Sequence, residues 1–413
     1  MTSLSLTPFG FCIILFGLGC SNSVNRSAAK ERSDINVVWV YPDRLLSLKT
    51  SDFIASIQFV PLETTSESEF GEISQIEIID GFYVILDRIS NEILFFKKNG
   101  DFVRKISPKN QDIPIPYHYI SKFSIDSNRG ILYFFDLQSA YIYEFDLSGR
   151  FLNLRNKKPI DYKIRETYHL GKYTINYFSY ESIVSDTKRS PAIIVNEGER
   201  KSESYLFFNP SVINYDDIYD SRKYFFKSEK SLLFSRPGDY NIYEFNKGRI
   251  DKSMSISLPE KFKLPGDFLS NNRYTGKRRK YLDVNSSKIY LITDVYKVGE
   301  MLSFKLVGSR YKGTFLHSQK IGLSIDFRNY LSDSSTYFLP IANNSILGVD
   351  GDRYISSVPA ARIVQAITRN IKIGGYLSSL PANLLTFYKK GNHQNPVLTL
   401  IKPKNEIIYN VDN

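Results

Sequence analysis

The chain has 413 residues, of which 42% are hydrophobic, and a formal net charge of +11. That apolar content excludes a globally disordered chain. Only two cysteines occur, Cys12 and Cys20, so residues 21–413 hold no disulfide framework, no cysteine metal site and no thiol nucleophile.

Residues Phe9 to Gly19 form an uncharged apolar run. It is shorter than the ~20 residues a bilayer-spanning helix takes, and it fits the apolar region of a secretory signal. The run ends at Leu18-Gly19-Cys20, which resembles a lipobox, the motif cleaved before a cysteine that then carries lipid. Gly19 is the small residue such cleavage needs. Gly17 stands where Leu is usual, and no Lys or Arg precedes Phe9. Residues 1–20 are therefore expected to be a lipoprotein signal segment, with Cys20 as the lipid-attachment residue. Residues 21–50 are expected to be a flexible tether and lead-in, because Ser21 to Asp34 has little to bury. The expectation is an exported protein, lipid-anchored in the cell envelope. A tether without an acidic run favours a periplasm-facing anchor.

A repeat follows. Phe82-Tyr-Val-Ile-Leu-Asp87 and Ile93-Leu-Phe-Phe-Lys-Lys-Asn-Gly-Asp-Phe102 recur 49 residues later as Ile131-Leu-Tyr-Phe-Phe-Asp136 and Ile142-Tyr-Glu-Phe-Asp-Leu-Ser-Gly-Arg-Phe151. A third copy is Ile242-Tyr-Glu-Phe-Asn-Lys-Gly-Arg-Ile250. In the first copy the pattern predicts strands over 73–79, 82–87, 91–97 and 101–106. Asn99-Gly100, Ser148-Gly149 and Lys247-Gly248 are two-residue hairpin signals. Weaker copies cover 167–209, 284–320 and 333–365. With 29 Tyr, 29 Phe and only 3 Met, the chain suits pleated, half-buried surfaces. No stretch shows the apolar spacing of a long amphipathic helix. Four strands per unit of 40 to 50 residues is the propeller pattern. The expected fold is all-β: a six-bladed β-propeller with four-stranded antiparallel blades over 51–405. A strand near Ile54–Val60 should pair with strands in 380–404 and close the ring.

Val60-Pro61-Leu62-Glu63-Thr64, Gly71-Glu72-Ile73, the Tyr-x-x-Leu-Asp and Asn-Gly-x-Phe units, and Asn395-Pro396-Val397-Leu398 followed by Leu400-Ile401 carry a family likeness. Over about 50–404 the chain resembles the six-bladed β-propeller lipoproteins of Gram-negative bacteria, relatives of NHL-repeat proteins. That resemblance implies the fold and an envelope location, and no established activity. The Gly-Pro-Gly-Glu-Tyr-type stretch of such proteins is replaced by Gln111-Asp112-Ile113-Pro114-Ile115-Pro116-Tyr117.

The recurring Asp87 and Asp136 read as turn acceptors for backbone N–H groups rather than as a catalytic ring. No Gly-x-Ser-x-Gly elbow and no phosphate-binding glycine loop occurs, so no catalytic residue, metal or cofactor is assigned. The candidate ligand-binding residues are Tyr117, His118, Tyr168 and His169, with Lys163 and Arg165. Tyr117-His118 and Tyr168-His169 are expected to end the loops 107–118 and 156–169, just before inner strands and on one axial face. Lys109, Lys163 and Arg165 would make that face cationic. The positive charge is spread along the chain and its tightest cluster, Lys277 to Lys280, belongs to no nucleic-acid-binding motif, so no nucleic-acid partner is expected. The reading is a monomeric, envelope-anchored binding or scaffold module for an acidic glycan or an envelope protein partner. Its alternative is a glycan-active hydrolase or lyase using a carboxylate pair at the axial face.

Overall fold

The computed structural model describes residues 36–43, 47–109, 112–136, 138–184, 188–198, 201–219, 221, 223–372, 377–392 and 394–407. Across them the repeat is realised as six four-stranded antiparallel sheets, one of them extended by a fifth strand. Blade 1 is Gln75–Ile79, Phe82–Asp87, Glu92–Lys97 and Phe102–Ile106. Blade 2 is Ile120–Asp126, Ile131–Asp136, Tyr141–Asp146 and Phe151–Asn156. Blade 3 is Glu166–Leu170, Tyr173–Tyr177, Ile193–Glu197 and Lys201–Tyr205. Blade 4 is Phe225–Lys227, Leu232–Phe234, Asn241–Asn246 and Arg249–Ser257. Blade 5 is Ile289–Val298, Met301–Gly308, Lys312–Ser318 and Leu323–Asp326.

Blade 6 is assembled from both ends of the described chain. Gly348–Asp350, Arg353–Val358 and Val397–Pro403 are completed by Ile54–Pro61, with Val397 opposite Pro61 and Ile401 opposite Ile57. The ring closes through this sheet, as the sequence predicts, so no seam separates first and last blades.

Each blade buries both faces against its neighbours. Between blades 1 and 2, Val84, Leu86 and Phe95 meet Phe123, Phe134 and Tyr143; between blades 6 and 1, Leu398, Leu400 and Ile355 meet Tyr83, Ile85 and Phe96. The hairpin glycine Gly100 has a second duty. Its φ is +95°, and a Cβ there would stand 2.1 Å from the Pro61 carbonyl oxygen. Glu63 N–H donates to the Gly100 carbonyl at 2.9 Å, so this turn locks blade 1 to the closing strand.

Two expectations are corrected. The segment assigned to tether and lead-in already holds structure: Asn36–Trp39 adds in parallel to Arg249–Ser257 as the outermost strand of blade 4, and Leu48–Lys49 pairs with Tyr330–Leu331. The Val38 and Val40 side chains, alternating with exposed neighbours, drive the first pairing by entering the core. Helical spacing is also present after all. Ala360–Lys372 and Ala382–Lys390 are inserted between the second and third strands of blade 6. They bury Ile363 and Ile367, an i, i+4 pair, and Leu384 and Phe387, an i, i+3 pair, with Phe59 and Val358, each pair on one helix face.

Candidate functional site

The strand order gives the disc two unlike faces. Each first strand ends in a tight turn, such as Asp80–Gly81 or Gly171–Lys172, and these turns gather on one face. The connections between blades, 107–119, 157–165, 206–224, 258–288 and 327–347, all return on the other, together with the inserted helices. A cavity of about 540 Å³ runs along the axis. At the turn face its rim is Asp80, Ser127, Gly171, Glu229 and Gly351. Its lining reaches Gln75, Glu166 and Lys223 at depth.

That depth is charged. Glu77 Oε1 lies 3.0 Å from Lys223 Nζ, across the axis from blade 1 to the lead-in of blade 4. Glu166 Oε2 accepts the backbone N–H of Tyr224 at 2.6 Å and lies 4.0 Å from Lys122 Nζ. Outside the cavity lining, Asp294 Oδ2 lies 3.9 Å from Lys305 Nζ. Gln75 bridges blades 1 and 2, donating to the Phe123 carbonyl at 2.9 Å and accepting the Phe123 N–H at 3.1 Å. The six charged side chains are only 10–25% exposed. Tyr168 and Tyr296 line the cavity above them.

Burial sets the protonation of this floor. It pushes the Glu166 carboxyl up to about 7, against the pull of Lys122 and Lys223. It likewise raises Asp294, which Lys305 and Lys223 only partly offset. Burial drags the Lys223 ammonium down, but Glu77, Tyr296 and Glu166 outweigh it and hold this lysine well above its ordinary value. Asp294 sits at a register shift of the first strand of blade 5, with a left-handed φ of +51°. A non-glycine residue in that region carries strain that a fold keeps where it has a use for it.

The nominated residues are not brought together. Tyr117 is buried in the blade 1–blade 2 core, 4.9 Å from the Phe134 ring, and its hydroxyl donates to the Asn91 carbonyl. His118 stands on the loop face with its ring Nδ1 3.2 Å from Asp136. Lys163 donates to the Ser182 carbonyl, and Arg165 pairs with Glu181 at 3.1 Å and stacks over Tyr215. Tyr168 and His169 do line the axial cavity. They lie inside the first strand of blade 3 rather than before it, so His169 approaches the turn face while His118 stays on the loop face. His169 is engaged by Tyr133 at 2.9 Å and Thr174 at 3.2 Å, and burial lowers its pKa despite Asp126 at 3.8 Å. Cys20 lies outside the described residues. Among the described residues no three His, Cys, Asp or Glu side chains converge on a metal site.

Glu77, Lys122, Glu166, Lys223 and Asp294 escaped sequence reasoning. Their signal is positional. Lys122, Glu166, Lys223 and Asp294 each lie four residues before the last residue of a blade's first strand, as does Gln75. A polar side chain repeated at that depth of an otherwise aromatic and aliphatic strand marks the axis.

Asp87 and Asp136 are turn acceptors, as the sequence predicts. Asp87 takes the N–H groups of Gly71, Glu72, Ile89 and Ser90; Asp136 takes those of His118, Tyr119 and Gln138.

Residues 35–402 match the model of a family described as a domain of unknown function (DUF4934), and the chain belongs to that family. No curated protein matches it. Among solved structures it is similar to a Bacteroides fragilis protein described as exported, with a TM-score of 0.65 and 15% identity over 89% of this chain and 99% of that one. A DUF4221 member from Bacteroides vulgatus gives a TM-score of 0.42 at 12% identity, over 86% and 98% of the two chains. Virginiamycin B lyase from Staphylococcus aureus gives 0.35 at 13%, over 73% and 80%. The first likeness shows the fold; the other two bear on nothing further.

Proposed function

We propose that this member of DUF4934 is an envelope-anchored binding module whose ligand occupies the axial cavity from the turn face. The observation that carries the reading is the cavity floor. Glu77, Glu166 and Lys223 line the cavity on an axis that apolar side chains could seal, with Lys122 beside Glu166. Withdrawing ions from water costs several kcal/mol each unless they are well paired, so retaining them here is explained by what they can hold. The cavity lining presents donors and acceptors of both signs with acid in excess, Glu77, Asp80, Glu166, Glu229 and Asp350 against Lys223 and Lys227. That suits a neutral or zwitterionic saccharide better than an acidic one, the ligand favoured from the basic loop residues. A cavity of 540 Å³ lies within the usual range of small-molecule sites and has room for one or two sugar rings. Tyr168 and Tyr296 offer aromatic surface beside them. Anchoring rests on the signal-like segment and Cys20; among the described residues no helix is long and apolar enough to cross a membrane.

A saccharide array read with wild type and with the double variant Glu77→Gln/Lys223→Gln tests the site. The double variant replaces a paired charge by a neutral pair of similar shape. Its binding should fall about tenfold or more, equivalent to ~1.4 kcal/mol, while the melting temperature stays close to wild type. Equal binding by both proteins would remove the cavity from consideration.

One observation favours a second reading, a glycan-active hydrolase or lyase: a carboxyl held near pH 7 is what a general acid needs. Glu166→Gln separates the two. A binder keeps its ligand; an enzyme keeps the ligand and stops releasing product.

A further inference from the structure

The outermost strand of blade 4 turns an apolar strip outward. Along Asn36–Trp39 and the residues after it, side chains alternate: Val38 and Val40 are buried, while Val37 is 47%, Trp39 56% and Tyr41 41% exposed. Alternation puts the three exposed side chains on one face. Beneath them Ser255 and Ser257, the register partners of Val37 and Trp39, are small and leave the strip proud of the sheet. Trp39 is the only tryptophan of the chain. A tryptophan left more than half exposed on a strand forgoes much of the burial that its large ring offers. A charged or polar residue at that position would serve a purely aqueous surface better.

Position in the chain says what meets it. Fifteen residues, Ser21 to Ile35, separate Cys20 from this strand. Among the described residues the strip is therefore the first surface after the expected lipid-bearing cysteine. Its chemistry is that of a bilayer interface: Trp and Tyr rings settle at the headgroup level, where one end of the ring is apolar and the other wet. The formal charge of +11, spread along the chain, favours an anionic surface over a neutral one for the molecule as a whole.

We propose that Val37, Trp39 and Tyr41 form a membrane-contact strip that seats the rim of blade 4 on an anionic bilayer and so fixes the orientation of the disc. The proposal rests on the anchoring of Cys20. It adds that the propeller stands edge-on, so the turn face with its cavity opens sideways along the membrane surface rather than into it.

Because Trp39 is the sole tryptophan, its fluorescence reports on the strip without labelling. The full lipid-bearing chain is reconstituted into vesicles of phosphatidylethanolamine and phosphatidylglycerol, and flotation reports anchoring. Trp39 emission is then read with ordinary lipids and with lipids brominated at the upper acyl chain. The expected result is flotation, a blue shift relative to detergent-solubilised protein, and about twofold quenching by the brominated lipids, as for an aromatic ring at the interface. Flotation with emission indifferent to bromination overturns the strip and leaves the anchor standing. A chain that does not float overturns both. Emission that shifts with protein concentration in the absence of lipid assigns the strip to a second copy and overturns the membrane reading.

Discussion

Asp87 shows how much one side chain can organise. Its carboxylate is fully buried and collects four backbone N–H groups, two from the lead-in at Gly71 and Glu72 and two from the turn at Ile89 and Ser90. Burial alone would push this carboxyl up, but the donors at Gly71, Ile89 and Ser90 hold it below its ordinary value. Asp136 behaves alike. For such groups the folded state binds protons less readily than the unfolded chain. Their contribution is present above the ordinary carboxyl range and disappears as pH falls through the folded value. Asp87→Ala should cost about 2–3 kcal/mol by orphaning buried donors, measured as a shift in urea midpoint. A cost near zero would mean that water satisfies those groups.

Glu166 has the opposite sign. Its carboxyl is raised from 4.5 to about 7, so between those limits the folded state holds a proton that the unfolded chain has lost. Its contribution is complete below 4.5 and declines as pH rises toward 7, by an amount of the order of 3 kcal/mol. Glu166→Gln should flatten the stability profile over that window and leave the acid limb governed by Asp87 and Asp136. An unchanged profile would mean that Glu166 is ionised throughout. The two aspartates were legible because they recur in two strong repeats. Glu166 was not, since its meaning depends on which strand of its blade lies innermost, and blade 3 is a weak copy.

At the scale of elements, the shared sheet of blade 6 was legible from sequence because a ring needs one, and because the strand-like 54–60 had no other partner. What the chain did not disclose was the helical insertion. Its buried face is short, carried by Ile363 and Ile367 in one helix and by Leu384 and Phe387 in the other, and the intervening Arg, Gln, Thr and Asn mask the period. The strand Asn36–Trp39 was hidden differently: it follows a polar segment and pairs with a strand more than 200 residues away. Removing residues 397–413 should abolish cooperative unfolding, because Ile54–Pro61 and Arg353–Val358 would each lose their central partner. A soluble, cooperatively melting truncation would contradict that. Gly100→Ala should destabilise through the close approach to Pro61 as well as the positive φ, so restoring the turn elsewhere would not rescue it.

Another element is hidden by composition. Lys277 to Lys280 looks like a basic surface cluster, yet Arg278 is fully buried. It pairs with Asp217 and donates to the carbonyls of Phe268 and Val212, stapling the long connection between blades 4 and 5. Breaking such a pair from one side leaves an uncompensated buried charge. Arg278→Met is expected to cost about 3–5 kcal/mol, read from the denaturant midpoint.

Over the whole molecule, the sequence disclosed a ring, and its long loops and its axial cavity point to different faces. Loop length pointed to the face of 107–118 and 156–169, where Lys163 and Arg165 are already engaged by Ser182 and Glu181. The axial cavity instead reaches the face of short turns, with its charged floor made by residues whose shared position shows only once the strand ends are known. The two faces make different demands on a ligand, and amide hydrogen exchange distinguishes them directly. With the saccharide that binds most tightly on the array, protection is expected at the ends of the first strands and their turns, around 78–81, 125–128, 169–172 and 227–230, and little change at 107–118 or 156–165. Protection confined to those two loops, with the first strands and their turns exchanging as in the free protein, would contradict a ligand seated in the axial cavity.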